Sequence, residues 1–239
     1  MLNLNSDHIE FSPHFEHLDP EKLDGESKVT VYEELLAKSL IMRANKRDPT
    51  ITLENHSKVF PHIKRIIDWL HTTDFYIAPA STYHHDAVVQ GLLHHTLMVY
   101  KELKGLNQVP KFESVVKDQW YSAVFVALVH DWCKIGRYES YLKNVKNNET
   151  GDWVQEPAFK IKDDDVTRFG HGTQSLIMAM QLCNSKYTSL SFEEMAAIRW
   201  HMDGWDIGHY DEKDLDKCNA KIPMVRMIQF ADQLAITSY

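Results

Sequence analysis

The chain has few cysteines, no long apolar run and no excess of positive charge, and each of these absences excludes a class of protein. Its three cysteines, Cys133, Cys183 and Cys218, form no CxxC pair, which argues against a disulfide framework or a zinc ribbon. No apolar stretch approaches the roughly 18 residues that a membrane span requires. The N-terminus, MLNLNSDHIEF, lacks the basic and apolar regions of a signal peptide. We therefore expect a protein of the reducing cytoplasm with no membrane partner.

Common catalytic signatures and a basic surface are also missing. The net charge is −8, from 34 acidic and 26 basic residues, which disfavours long duplex DNA as a partner. The sequence contains no GxxxxGK[ST], GxSxG or HExxH motif, and the GHG at 170–172 lacks the remaining glycine of a dinucleotide fingerprint.

Hydrophobic periodicity predicts a mostly helical protein of 239 residues with one sizeable core. Residues 1–26 read as an irregular arm, and ESYLKNVKNNETGDWVQEPAFKI (139–161) alternates on either side of NNETGD as a β-hairpin does. We expect an N-terminal part, 1–74, that packs on a main domain, 75–239. The predicted helices are 29–45, 56–71, 86–104, 113–133, 171–183, 191–202 and 223–237.

Six side chains of metal-ligand type recur along the predicted helices. The adjacent pair His130-Asp131 closes the most apolar helix. Roughly 40, 70 and 100 residues later, one further residue of ligand type follows each time. About 30–40 residues is one helix of ordinary length and its connection. Burying an ionisable pair is costly without a compensating partner, and a metal cation is such a partner. The six residues are His95, His130, Asp131, His171, His201 and Asp232.

The segments around these residues carry a family resemblance. LLHHTLMVY (92–100), LVHDWCKIGRY (128–138), FGHG (169–172), IRWHM (198–202) and FADQLA (230–235) resemble the successive motifs of the HD superfamily of metal-dependent phosphohydrolases. The nearest likeness is to bacterial and phage HD-domain proteins that combine HD-x-C-K, a hairpin, GHG and RWHM. PASTYHHDAVVQGLLHHT (79–96) is also similar to the opening segment of HD-type exoribonucleases and relaxase-associated HD domains. The resemblance implies an all-α HD-domain bundle with a small inserted β-hairpin.

The resemblance also implies a ligand set. His95, His130, Asp131 and Asp232 would hold one divalent metal ion, and Asp131 would bridge to a second ion held by His171 and His201. The family's first histidine precedes Thr-Leu-x-Val, which matches the residues after His95 and leaves His94 as a bystander. The identity of the two metals, among manganese, iron, magnesium, nickel and zinc, stays open.

Further residues are candidates for substrate contact. Lys134 stands at the HDxxK position, where the family often contacts a phosphate, and Arg137 lies one step further along the same face. Both could instead be solvated residues beyond a helix end. His84 and His85 match the opening segment, with a pocket role and a plain loop role both open, and Cys133 could be a small buried residue.

The resemblance implies hydrolysis of a phosphoester or phosphoanhydride, with Asp131 and Lys134 in catalytic roles. Paired cations would activate a water molecule and polarise the phosphoryl oxygens, and Lys134 would neutralise charge that develops on the phosphate. The expected partner is a small phosphorylated substrate, such as a nucleotide or a short nucleic acid. Two alternatives remain, a di-iron oxygenase of the same superfamily and a binding module that has lost catalysis. Homo-oligomerisation is open.

Overall fold

The computed structural model describes residues 2–4, 8–83, 86–165, 169–208 and 211–237, which are mostly helical with one β-hairpin. Among the described residues, no helix has the length and apolar character that crossing a bilayer requires. The α-helices are α1 (Gly25–Arg47), α2 (Phe60–His71), α3 (Gly91–Gly105), α4 (Glu113–Asp118), α5 (Trp120–Val129), α6 (His171–Leu182), α7 (Phe192–Arg199), α8 (Glu212–Lys221) and α9 (Pro223–Thr237).

The hairpin predicted over 139–161 forms almost where the alternating pattern places it. Strands β1 (Tyr138–Lys146) and β2 (Trp153–Ile161) pair antiparallel, with Tyr138 opposite Ile161 at the base and Lys146 opposite Trp153 at the tip. Most of the hairpin is exposed, but its base reaches the end of the turn that follows α5. The coarse prediction, a helical protein with a small hairpin, is therefore confirmed.

The centre of the protein is the apolar helix α5, against which α1, α3, α7 and α9 pack. One hydrophobic core extends from Ile9 near the N-terminus to Ala235 in α9 and includes buried residues of α1 and α2. The proposed boundary between residues 74 and 75 stays a prediction. Because four helices surround the C-terminal half of α5, side chains on each of them can converge there.

Polar side chains of α1 and of the loop before α2 hold the N-terminal arm against this core. The backbone amide of Leu2 donates to the buried Glu33, that of Ser12 donates to Glu34, and that of Ile9 donates to Nε2 of the buried His56. The arm lacks long secondary structure, as expected, and forms two short 3-10 turns, Phe15–His17 and Pro20–Lys22.

Several predicted helix boundaries are wrong. The helix predicted at 86–104 begins only at Gly91, because the backbone of residues 86–92 folds back and pairs with residues 77–80. The helix predicted at 113–133 is interrupted at Gln119, where Lys46 binds the carbonyl oxygen of Asp118. Helix α8 was not predicted, because it is short and most of its residues are polar; its buried residue is Leu215.

The N-terminus of α7 is held by a capping box and a buried ion pair. Ser191 and Glu194 make the two reciprocal hydrogen bonds of a capping box. Arg43 of α1 then binds both carboxylate oxygens of Glu194, at 2.6 and 2.7 Å, and both side chains are almost fully buried. Burial opposes ionisation of Glu194, but the Arg43 charge outweighs it and lowers the pKa of that carboxyl.

We predict that Arg43→Met lowers the free energy of unfolding by about 3–5 kcal/mol, because it leaves the Glu194 carboxylate buried without its partner. Lys64→Met is the matched control, since the Lys64–Asp68 pair is exposed and its loss should cost less than about 1 kcal/mol. Urea denaturation measures both values. A similar loss in the two variants would contradict this account of the pair.

The same pair predicts a pH dependence. The folded-state pKa of Glu194 is below its unfolded value, so its contribution is complete above the ordinary glutamate pKa, about 4.3. It is lost as the pH falls through the lowered folded-state value. The stability difference between wild type and Arg43→Met should therefore shrink on acidification below about pH 4. A difference independent of pH from 7 to 3, measured by denaturation, would argue against the ion pair.

Candidate metal centre

Five of the six predicted ligands converge at the C-terminal end of α5. His95 projects from α3, His130 and Asp131 follow α5, His201 follows α7, and Asp232 lies on α9. All five are buried. Two groups of ligand atoms lie within 4.8 Å of one another here, one from His95, His130 and Asp131 and one from His130, His201 and Asp232. These residues form the HD cluster, so named after its central His130-Asp131 pair.

Apart from one hydrogen bond between His95 and Asp232, the separations within the HD cluster are longer than usual hydrogen bonds and match those of ligands around a cation. The Nε2 atom of His95 lies 3.1 Å from Oδ1 of Asp232 and 3.5 Å from Oδ2 of Asp131. His130 Nε2 lies 3.4 Å from Oδ2 of Asp131, and His201 Nε2 lies 3.6 Å from its Oδ1. Ligands bound at about 2.0–2.2 Å are about 3.3–3.6 Å apart in a tetrahedron and about 2.8–3.1 Å apart in an octahedron.

Buried polar atoms without hydrogen bonds support the same interpretation. Within the described ranges, Nε2 of His130, Nε2 of His201 and Oδ1 of Asp131 are buried and have no hydrogen-bond partner. An unsatisfied buried polar group costs about 1–3 kcal/mol, and three in one place require an explanation. A divalent cation would accept all three lone pairs, so the residues present fit a metal ion.

Backbone carbonyls fix the orientation of two imidazoles. Nδ1 of His130 is 2.8 Å from the Ala127 oxygen, and Nδ1 of His201 is 2.8 Å from the Ile198 oxygen. A carbonyl oxygen only accepts, so Nδ1 carries the proton in both rings and Nε2 presents a lone pair to the HD cluster. This is the tautomer that second-sphere partners impose on metal-binding histidines.

The two aspartates are ionised. Burial opposes the charge of Asp131, but the Lys134 ammonium and the His130 imidazole outweigh it and hold the pKa of this carboxyl well below its usual range. For Asp232, burial is again outweighed, here by the hydrogen bond with His95 and the nearby His130, and the pKa falls to about 2. The cluster therefore offers two carboxylates and three imidazoles, a donor set suited to a divalent cation.

The turn after α5 is held by a buried contact with α1. The Tyr32 hydroxyl donates to the carbonyl of Leu128, at 3.1 Å, and accepts the indole N–H of Trp132, also at 3.1 Å. Both rings are fully buried. Tyr32 thus holds the backbone before the His130-Asp131 pair and the side chain after it, a role that the sequence did not indicate.

His171 lies apart from His201 in the grouping of ligand atoms, which differs from the prediction that the two would share one ion. It groups with Asp131 and Cys133 within 4.8 Å, whereas His201 groups with His130 and Asp232. The reason is the packing of α6, whose first turn lies against the 3-10 turn Trp132–Lys134. This packing places Cys133 among the ligand atoms, whereas the sequence had left its role open.

The two glycines of the GHG motif set the position of His171. A Cβ atom on Gly172 would lie 2.0 Å from the Arg199 carbonyl oxygen, so the first turn of α6 can approach the end of α7 only with glycine there. Gly170 has a φ of +77° and abuts the Asp206 carboxylate, which in turn accepts the Gly172 amide at 2.8 Å. The motif therefore serves close packing, with no dinucleotide role.

The two predicted phosphate-contacting cations lie beside the cluster, but both are already engaged. Lys134 is buried and its Nζ is 2.6 Å from Oδ2 of Asp131, so it is not a solvated residue. Arg137 Nη1 lies 3.1 Å from Nε2 of His171, and its Nε lies 3.2 Å from Asp165. His84 and His85 lie outside the described residues.

A cavity of about 950 Å³ opens next to these cations. Lys134, Arg137 and His171 contribute charged and polar groups to its wall, and Ser81 and Thr82 contribute hydroxyl groups. Its remaining lining is apolar or aromatic: Tyr138 and Ile161 from the base of the hairpin, Ala80, Met202, Ile236 and the highly exposed Trp205. The cavity therefore offers cationic groups for an anion and apolar surface for a flat ring.

Comparison with known proteins identifies no relative: no protein-family model matches the chain, no curated protein matches its sequence, and no solved structure matches its fold. The functional argument therefore rests on the residues of the HD cluster and the cavity beside it.

We predict that His95→Ala reduces the amount of divalent metal retained per chain, whereas His94→Ala leaves it unchanged. His95 is part of the HD cluster, and in the described part of the chain His94 belongs to no group of potential ligands. Metal content after dialysis, measured by inductively coupled plasma mass spectrometry, compares the two. Equal loss of metal in both variants would contradict the assignment of His95 as a ligand and His94 as a bystander.

Proposed function

We propose that the protein is a metal-dependent phosphohydrolase that cleaves a phosphoester or phosphoanhydride in a nucleotide or a short nucleic acid. The observation that carries the proposal is the HD cluster, in which three buried imidazoles and two carboxylates form two overlapping groups of ligand atoms, each within 4.8 Å of one another. The ordered resemblance of its motifs to those of the HD superfamily supports the same assignment. When bound, divalent metal ions would activate water and polarise the phosphoryl group.

The cavity beside the cluster supports a phosphorylated substrate. Lys134 and Arg137 both line the cavity, and Lys134 also contacts Asp131 of the cluster. An ammonium has three donors and a guanidinium five, so each can keep its present partner and still donate to phosphate oxygens. Lys134 is therefore proposed to hold Asp131 ionised and, through a second N–H, to stabilise charge that develops on the substrate.

The aromatic and apolar lining of the cavity supports a substrate that carries a flat ring. The indole of Trp205 is mostly exposed at the cavity, and Tyr138 and Ile161 line the same space. Aromatic side chains stack on nucleobases with about 1–3 kcal/mol per base. The protein's net negative charge opposes a long polyanion, so we propose a nucleotide or short oligonucleotide in preference to duplex DNA.

The proposal predicts phosphate release without oxygen. Purified protein loaded with Mn²⁺ should hydrolyse at least one member of a nucleotide panel in an anaerobic chamber, because water activation needs no redox change. Phosphate is measured with a colorimetric assay, and protein stripped with a chelator is the control. Turnover that requires both iron and O₂ would instead identify an oxygenase and overturn the proposal.

Lys134→Ala and Lys160→Ala test the role of the lysine in that assay. Removing a group that stabilises transition-state charge should cost about 2–4 kcal/mol, or roughly 30- to 1000-fold in kcat/KM. Lys160 is a partly exposed hairpin lysine paired with Glu139, and its loss should leave turnover unchanged. Equal activity of Lys134→Ala and wild type, with metal content maintained, would remove Lys134 from the mechanism.

A further inference from the structure

Cys133 lies outside the ligand set that the family resemblance implies, yet it lies among ligand atoms in the structure. We propose that its thiolate is a ligand of a metal position shared with His171 and Asp131, and that this position selects zinc or iron(II) over manganese or magnesium. The inference rests on the metal-binding part of the proposed function and not on hydrolysis. It assigns the second metal position a sulfur ligand.

The geometry of the three side chains carries the proposal. One ligand atom each from Asp131, Cys133 and His171 lies within 4.8 Å of the other two. The Cys133 sulfur is 3.5 Å from Nδ1 of His171. A tetrahedral cation with a metal–sulfur bond of about 2.3 Å and a metal–nitrogen bond of about 2.0–2.1 Å places those two atoms about 3.5 Å apart.

One further observation points to a ligand beside Asp131, and another fixes the position of Cys133. Asp131 Oδ1, which lies 3.6 Å from Nε2 of His201, is buried and has no hydrogen-bond partner in the described part of the structure, so it is available to bridge two cations. The Cys133 amide donates to the buried Ser175 hydroxyl of α6, at 3.1 Å, which holds the cysteine backbone against the helix that carries His171. Neither Cys183 nor Cys218 belongs to a group of potential ligands within the described ranges.

A sulfur ligand would change the metal preference of the position. Thiolate is a soft donor that favours zinc and iron over magnesium, calcium and manganese, which prefer oxygen. Binding replaces the thiol S–H bond with a metal–sulfur bond and releases one proton to solvent. The HD cluster, which contains only nitrogen and oxygen donors, imposes no such preference. The two positions would therefore differ in metal selectivity.

Metal binding by His171 would also release Arg137. At present Nη1 of Arg137 donates to Nε2 of His171. If Nε2 binds the metal, its lone pair is used; if Nδ1 binds it, the neutral ring carries its proton on Nε2. Arginine has no acceptor atom, so its contact with Nε2 is lost in either case. Arg137 would remain on the cavity wall with that donor available for a substrate phosphate.

Cobalt spectroscopy of variants with selected cysteines tests the proposal. The chain has three cysteines, so Cys183→Ser/Cys218→Ser leaves Cys133 as the sole source of a thiolate. Loaded with Co²⁺, this double variant should show a thiolate-to-cobalt charge-transfer band in the near ultraviolet, and adding Cys133→Ser should abolish the band. Absence of the band from the double variant with cobalt bound would overturn the proposal, and this result does not depend on the triple variant folding.

Cobalt stoichiometry separates the proposal from the proposed function. Two ions per chain with the charge-transfer band support both. One or two ions per chain without the band leave the HD cluster as a metal centre and exclude Cys133 as a ligand, whereas no bound cobalt contradicts both.

Competition binding tests the metal preference of the position. Cys133→Ser should reduce the preference for Zn²⁺ over Mn²⁺ at this position by more than about tenfold, since even the loss of an outer-sphere partner typically costs about 10- to 100-fold in affinity. An unchanged preference would exclude sulfur ligation.

Discussion

The carboxylate of Asp131 is the buried charge on which the arrangement of the surrounding helices depends. One oxygen faces His95, His130 and Lys134, and the other faces His201. Taking a carboxylate out of water costs several kcal/mol unless opposite charge and hydrogen-bonding groups surround it. Those groups come from α3, from α7 and from the turn after α5, so these segments must meet at one point. Asp232 of α9 adds a second carboxylate at the same place.

Contacts with residues outside the HD cluster also hold this arrangement in place. Tyr32 of α1 binds the Leu128 carbonyl before the His130-Asp131 pair and the Trp132 indole after it, and backbone carbonyls fix the rings of His130 and His201. Ligand side chains held in one rotamer lose little entropy when a cation binds. The same rigidity keeps the cavity next to the cluster. Lys134 connects the two, because it contacts Asp131 and also lines the cavity.

The elements with a strong local signal were predictable. The alternating pattern around NNETGD gave the hairpin, helical periodicity gave α1, and ligand chemistry at helical spacing gave five residues that the fold brings together. The sequence could not reveal features that depend on distant partners. The interruption at Gln119, the late start of α3 and the contact of Tyr32 all involve backbone groups met only after folding. Helix α8 is short and mostly polar, so its periodic signal rests on few apolar residues.

The grouping of His171 with Cys133 could be anticipated only in part. The pattern Asp131-x-Cys133 places two ligand types side by side, and GHG supplies a third. Their approach depends on how closely α6 packs, which the glycines of that motif permit. The reaction is harder to infer from the sequence than the arrangement of the ligands, because hydrolases and oxygenases both use nitrogen and oxygen ligands. The choice of hydrolysis therefore rests on the cationic cavity and the family resemblance, and it stays a proposal.

The central claim, that the HD cluster is a metal centre, is tested most directly by anomalous diffraction. Crystals grown with Zn²⁺ would be measured above and below the zinc absorption edge. The account predicts an anomalous peak about 2.0–2.2 Å from the Nε2 atoms of His95 and His130 and from carboxylate oxygens of Asp131 and Asp232. Zinc peaks confined to surface residues, with the imidazoles of the cluster hydrogen-bonded to water or to one another, would contradict it.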